Sequence, residues 1–397
     1  FQGQFKREKL GMKFYKYKST IVAKVLIQFA FFVFKSIFPV DEKKVTFASY
    51  RAEELTGNLY YVYKEIEKSD RNYKCHFLLK KYKKTLFGKF DYFIHMIKAS
   101  YFLATSKCFF IDDYYFPVYV IKPRKGTKII QLWHAAGAFK KFGYSTVDKE
   151  FGPTKEYLSI VKVHSNYSYA VVSSSEVVPF YAEAFNMPEE RVLPLGVPRT
   201  DFFFDKKARD EVNQKFYKAY PELRGKKLVL YAPTFRGKSH NPDKYGCPID
   251  FKKFSRILGE EFKLIIHLHP YVSDSLVIRD ELKDSVYNIE NEFTIEELLV
   301  LADFLITDYS SIVFDYSLME KPMAFFADDL ESYESERGFY FDYKTFIPGP
   351  FFDEIEELAN WLKDGSFNID QIKAFKNKFF NHLDGEASKR VVRYFLK

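Results

Sequence analysis

The sequence predicts two doubly wound α/β domains in tandem, preceded by an apolar helix with basic flanks. Three observations lead there. Short apolar runs alternate with amphipathic stretches through both halves of the chain, the pattern of parallel strands connected by helices. Polar residues follow several of those runs directly, at the carboxyl ends where open α/β sheets bind ligands. Midway, residues 196–201 (GVPRTD) interrupt the pattern with a Gly- and Pro-containing turn.

A chain of 397 residues has room for two or three cores. Hydrophobic content of 47% and charged content of 29% are ordinary for a globular protein. The 45 Phe and 30 Tyr supply large side chains for those cores, with some left to face lipid. Net charge is +8, but residues 1–44 hold ten Lys or Arg against three acids, so nearly all the excess lies in one terminal segment. That argues against a nucleic-acid surface spread over the protein, and no nucleic-acid motif appears. The three cysteines, Cys75, Cys108 and Cys247, are too far apart for a metal motif and give no disulfide framework. Cys75 and Cys108 fall in strand-like apolar runs and read as core thiols in a reducing compartment.

In chain order, Phe1–Gly3 resembles the remainder of a cleaved tag and is set aside. Residues 21–38 read IVAKVLIQFAFFVFKSIF. Lys24, Gln28 and Lys35 interrupt this run at steps of four and seven, so they share one helical face. The expectation is an in-plane helix anchoring residues 4–44 to an anionic inner leaflet; a buried helix of the first domain and a membrane span are the alternatives. From Val45, strands are expected near 45–49, 74–79, 108–112, 128–133, 170–174 and 191–195. Helices are expected near 58–68, 91–105, 155–163 and 176–185. After the turn, strands are expected near 227–232, 263–269, 286–289, 304–307 and 323–326. Helices are expected near 206–219, 251–259, 294–302, 312–319 and 354–362, with two more from Asp370 onward for which packing back onto the first domain is an alternative. The predicted domains are 45–200 and 201–397. No repeat, P-loop or GxGxxG is present.

The chemistry concentrates at strand ends. His134 follows the run 128–133 and precedes Ala135, Ala136 and Gly137, small residues that let a backbone or ligand approach. An imidazole titrates near ~6.5, so His134 is a candidate general base; a histidine that only braces a loop is the alternative. Thr234 offers a hydroxyl, and Arg236 a planar fork suited to phosphate or to a surface ion pair. His267 and His269 alternate on one strand and share a side. No third ligand stands at a familiar spacing, so phosphate hydrogen bonding is favoured over a metal. Glu297 opens a helix, where it offsets the dipole or takes a ribose hydroxyl. Residues 301–319 (LADFLITDYSSIVFDYSLM) read as strand, turn and helix, with Ser310 or Ser311 as cap and the free N–H groups attracting anions.

Residues 131–134 (QLWH), 230–236 (LYAPTFR), 267–270 (HLHP) and 307–311 (TDYSS) with Asp315 resemble the CDP-glycerol glycerophosphotransferase family, the teichoic-acid primases and polymerases of Gram-positive bacteria. The GVPRTD turn and the Gly57-Asn58 segment are similar as well. The resemblance implies a GT-B fold whose two Rossmann-like domains face a cleft, and membrane association at the cytoplasmic face. It implies CDP-glycerol or CDP-ribitol as donor and a polyprenyl-diphosphate-linked saccharide as acceptor, with no further cofactor. His134 carries over as the base. Thr234, Arg236, His267, His269, Ser310 and Ser311 carry over to the donor. Where the polymerases show Trp-His-Gly-Thr-Pro, this chain has residues 133–138 as WHAAGA, closer to the primases. Glycerol-phosphate transfer by a primase is therefore the first expectation. A glycerol- or ribitol-phosphate polymerase, a nucleotide-sugar glycosyltransferase and a lipid-bound scaffold are the alternatives. An oligomer stays open.

Overall fold

The computed structural model describes residues 16–396, apart from 70, 84, 150–151, 235–248, 269–281 and 290–291. The chain divides into two compact units. The first holds residues 1–134, 141–199 and 386–397; the second holds 135–140 and 200–385.

The first unit begins with α1 (Lys18–Ile37). There follow β1 (Asp41–Ser49), α2 (Gly57–Glu67), β2 (Lys74–Leu79), α3 (Leu86–Thr105), β3 (Ser106–Ile111), α4 (Phe116–Val120) and β4 (Lys128–Gln131). Beyond these lie α5 (Lys155–Leu158), β5 (Tyr169–Val171), α6 (Val178–Phe185) and β6 (Val192–Leu193). The sheet order is β2-β1-β3-β4-β5-β6 and every pairing is parallel. Residues 108–111 of β3 are all fully enclosed, as expected of a central parallel strand covered on both faces. Val45, Phe47, Phe110 and Ile130 form its core with Leu59 and Val62 of α2.

Two placements depart from the expected boundaries. The last helix, Ala387–Phe395, belongs to the first unit, where Val391 and Phe395 join the same core. Gly196, at φ +93°, lies so close to this helix that a Cβ would sit 2.9 Å from Ala387. The basic N-terminal segment is likewise not separate. Ile27 and Phe31 of α1 are buried in the unit, and β1 starts at Asp41.

Two members of the polar stripe of α1 bond to carbonyls of the first unit, while Lys35 is exposed. Lys24 Nζ donates to the carbonyl of Ile160 at 2.7 Å, and Gln28 Nε2 to the carbonyl of Val120 at 2.8 Å. Part of the apolar surface faces out, with Phe29 67% and Phe32 63% exposed. A long lysine or glutamine is retained against a protein body only where carbonyl acceptors replace water, and both find one here.

The second unit continues with α7 (Lys206–Ala219), β7 (Lys227–Tyr231), α8 (Phe251–Leu258), β8 (Phe262–Ile266), β9 (Val286–Asn288), α9 (Ile295–Leu301), β10 (Phe304–Thr307), α10 (Ile312–Ser317) and β11 (Met323–Phe326). It closes with α11 (Leu330–Arg337), α12 (Tyr343–Phe346), β12 (Phe351–Phe352), α13 (Ile355–Asp364) and α14 (Ile369–Phe379); the helix described above is α15. Its sheet order is β12-β11-β10-β7-β8-β9, again parallel throughout. The elements 330–337, 343–346 and 351–352 carry no strong periodicity and were not expected.

Candidate active site

The carboxyl end of β4 in the first unit is built around a left-handed residue. Trp133 has φ +53°, a conformation that costs a bulky residue energy unless its surroundings impose it. Two buried amides do so. Gln131 Oε1 accepts the Trp133 N–H at 2.8 Å, and Asn58 Nδ2 donates to the Trp133 carbonyl at 2.8 Å. Asn58 Oδ1 also accepts the Arg199 N–H at 2.9 Å, tying the start of α2 and the GVPRTD turn to this loop. The indole is wedged against Phe142 and Phe185, with ring centroids 5.2 Å away in each case.

This frame presents His134, whose side chain is 41% exposed. Its Nδ1 lies 3.2 Å from Asp113 Oδ2, and the Asp113 side chain is only 1% exposed. The guanidinium of Arg51 pairs with the same oxygen, while Asp113 Oδ1 accepts the Tyr114 N–H at 2.6 Å. Burial pushes the Asp113 carboxyl up, but His134 and Arg51 outweigh it and leave the group below its ordinary range. Its neighbour Asp112 goes the other way. Burial raises it to about 6, against a hydrogen bond from Ser49 and with Asp113 adding repulsion. Sequence reasoning missed Asp113 and Arg51. The available signal was an acidic pair closing the strand next to the one that carries His134.

Ala135–Lys140 belong to the second unit. The small residue at Gly137 has a packing cause: a Cβ there would meet the Phe314 ring at 2.2 Å.

In the second unit the candidate donor residues gather at three adjacent strand ends. Thr234 follows β7, His267 follows β8, and Ser310 and Ser311 follow β10. Buried Asp308 joins two of these loops, its Oδ1 accepting the N–H groups of Thr234 at 2.7 Å and Tyr309 at 2.5 Å. Thr307 Oγ1 donates to the Ala232 carbonyl at 2.7 Å, and the His267 N–H to the Tyr231 carbonyl at 2.9 Å. Ser311 occupies the N-cap of α10 without a side-chain cap bond; Ser310 Oγ accepts the Ile312 N–H at a long 3.4 Å. The helix ends at Ser317, two residues short of expectation, so its dipole is small. Among the described residues, Glu297 is engaged away from these strand ends. Its Oε2 accepts the Thr294 N–H at 2.7 Å in a capping box, and its Oε1 lies 3.6 Å from Lys215 Nζ. A carboxylate so engaged explains itself without a ribose. Arg236 and His269 lie outside the described residues.

Residues 30–397 match the CDP-glycerol:poly(glycerophosphate) glycerophosphotransferase family. The chain belongs to that family. It is 42% identical to a teichoic acid ribitol-phosphate primase of Bacillus spizizenii, over 94% of this chain and 96% of that one. It is 33% identical to a teichoic acid glycerol-phosphate primase of Bacillus subtilis, over 76% of each. Among solved structures it is similar to the wall teichoic acid polymerase TagF, with a TM-score of 0.76, 22% identity, and coverage of 100% of this chain and 97% of that one. The fold is GT-B, and the chain is a transferase of the teichoic-acid primase and polymerase kind.

Proposed function

We propose that this transferase is a primase that adds ribitol phosphate from CDP-ribitol to a hydroxyl of a polyprenyl-diphosphate-linked saccharide. The observation that carries the choice of polyol is the identity of 42% across nearly the whole of a ribitol-phosphate primase, against 33% for the glycerol-phosphate primase. That reverses the order of donors expected from the motifs alone.

The acceptor oxygen attacks the β-phosphorus of the donor, and the bond from that phosphorus to the bridging oxygen breaks, releasing CMP. His134 takes the hydroxyl proton. Thr234, His267, Ser310 and Ser311, with Arg236 and His269, hold the diphosphate and stabilise the charge that grows on the leaving CMP. Exposure of His134 on a rigid loop supports its role, since a base must be reachable and fixed.

Mass spectrometry of products made with CDP-ribitol, CDP-glycerol or UDP-sugars and a synthetic lipid-linked disaccharide tests the proposal. Addition of one ribitol phosphate is expected. A glycerol-phosphate product, a long polymer or transfer of a sugar would each contradict it.

The same reading places the protein at the membrane surface. Helix α1 is long and apolar enough to cross a bilayer. Its lysine and glutamine bonds to the first unit favour a helix lying in the interface instead. Leu86 and Phe87 of α3 are 86% and 81% exposed and extend the apolar surface, and α3 packs on α1 through Phe34 and Tyr101. Replacing Phe29 and Phe32 by Glu should abolish pelleting with anionic vesicles while leaving turnover on a short soluble acceptor. Pelleting that survives would move the membrane contact elsewhere.

A further inference from the structure

We propose that Asp113 is the positioning carboxylate of His134, setting which ring nitrogen carries the proton; this rests on the reading of His134 as the base. The two groups come from different strands, β3 and β4, and nothing in the sequence spacing links them. What links them in space is Gln131, which is fully enclosed. Its Nε2 donates to the backbone carbonyl of Asp113 at 3.0 Å, and to the Tyr167 hydroxyl at 3.0 Å. Its Oε1 accepts the N–H of Trp133, the residue before His134. One buried amide therefore spans the backbones that bear the carboxylate and the imidazole. Asn58 fixes the same loop from its other side.

The electrostatics agree with the geometry. A carboxylate this enclosed is retained only with charged or hydrogen-bonding partners, and Asp113 has Arg51, the Tyr114 N–H and His134. Arg51 keeps the group ionised without occupying the ring. A neutral imidazole carries one proton, and a carboxylate opposite Nδ1 favours placing it there. The lone pair then resides on Nε2, the nitrogen turned away from Asp113. In the transfer step the acceptor proton moves to Nε2 while its oxygen forms the bond to phosphorus. The electron pair of the breaking phosphorus–oxygen bond leaves with CMP. Asp113 stays ionised and balances the imidazolium. At 3.2 Å the two atoms make an ion-pair contact rather than an aligned hydrogen bond.

The test uses the full chain labelled with ¹⁵N-histidine. His134→Gln identifies the His134 signals among those of the eight histidines. Long-range proton–nitrogen spectra should show His134 protonated on Nδ1 in the neutral wild-type ring and redistributed toward Nε2 in Asp113→Asn. Turnover of Asp113→Asn should fall by about 10²–10⁴-fold with donor KM within about threefold, and Asp113→Glu should recover part of the loss. A wild-type ring protonated on Nε2 overturns the inference, and does so even if Asp113→Asn fails to fold. Asp113→Asn turnover within about threefold of wild type also overturns it. If His134→Ala is inactive in that case, the base reading stands and only the positioning role is lost. If His134→Ala is itself active, the base reading has failed.

Discussion

The carboxyl strand ends of the two units are braced in different ways. In the first unit, side chains do the bracing: Asn58 from α2, Gln131 from β4 and Arg51 from the loop after β1. They hold the backbone of Trp133 and the carboxylate of Asp113, the two neighbours of His134. In the second unit the braces are short and mostly backbone-directed, from Asp308 and Thr307 to the adjacent loop at Ala232 and Thr234. The first arrangement fixes one side chain; the second fixes the course of loops and leaves the hydroxyls of Ser310 and Ser311 partly exposed. On the proposed mechanism the former suits a proton-transfer group and the latter a surface that holds a diphosphate.

Substitutions that remove one brace at a time test this contrast. The largest stability effect is expected from Asp308→Ala, which strands two N–H groups and should cost about 3 kcal/mol in chemical denaturation. It should weaken donor binding and leave the tautomer of His134 unchanged. Asn58→Ala should cost about 2 kcal/mol and lower turnover more than donor affinity, because it frees Trp133 to leave its left-handed conformation. If both variants change donor affinity alike, the two regions are not distinct in function.

Gly137→Ala sets a methyl against Phe314, whose ring is already stacked on Phe375 and edge-on to Phe379. A loss of about 2 kcal/mol is expected, read as a lower midpoint at unchanged slope. The smallest effect is a gain. Burial holds the Asp112 carboxyl near about 6, above its unfolded value, so folding takes up a proton between these two values and stability falls as pH rises through that window. Asp112→Asn should therefore stabilise the protein above that window and have little effect below it. A gain that is equal at both ends of the window would mean that Asp112 is not buried as an acid.

Both sheets were legible in the sequence because buried parallel strands are continuous apolar runs bounded by turns. β10 and β11 fall on the expected residues, 304–307 and 323–326. The bonds of Lys24 and Gln28 to the first unit were not legible. Periodicity places Lys24 and Gln28 on one face, but only the acceptors at Ile160 and Val120 decide which way that face turns. The same holds for the site. His134 was found because it ends a strand beside small residues, whereas Asp113 matters through a contact between strands that no local pattern encodes. The small residues after His134 read as letting a backbone or ligand approach, and at Gly137 it is the Phe314 ring that lies close.

The proposed mechanism separates proton transfer from donor binding. It is tested most directly by measuring CDP-ribitol affinity and single-turnover product formation together in His134→Ala. Donor affinity within about threefold of wild type, with product formation reduced by at least about 10³-fold, is the predicted result. Product formed at close to the wild-type rate would contradict the account.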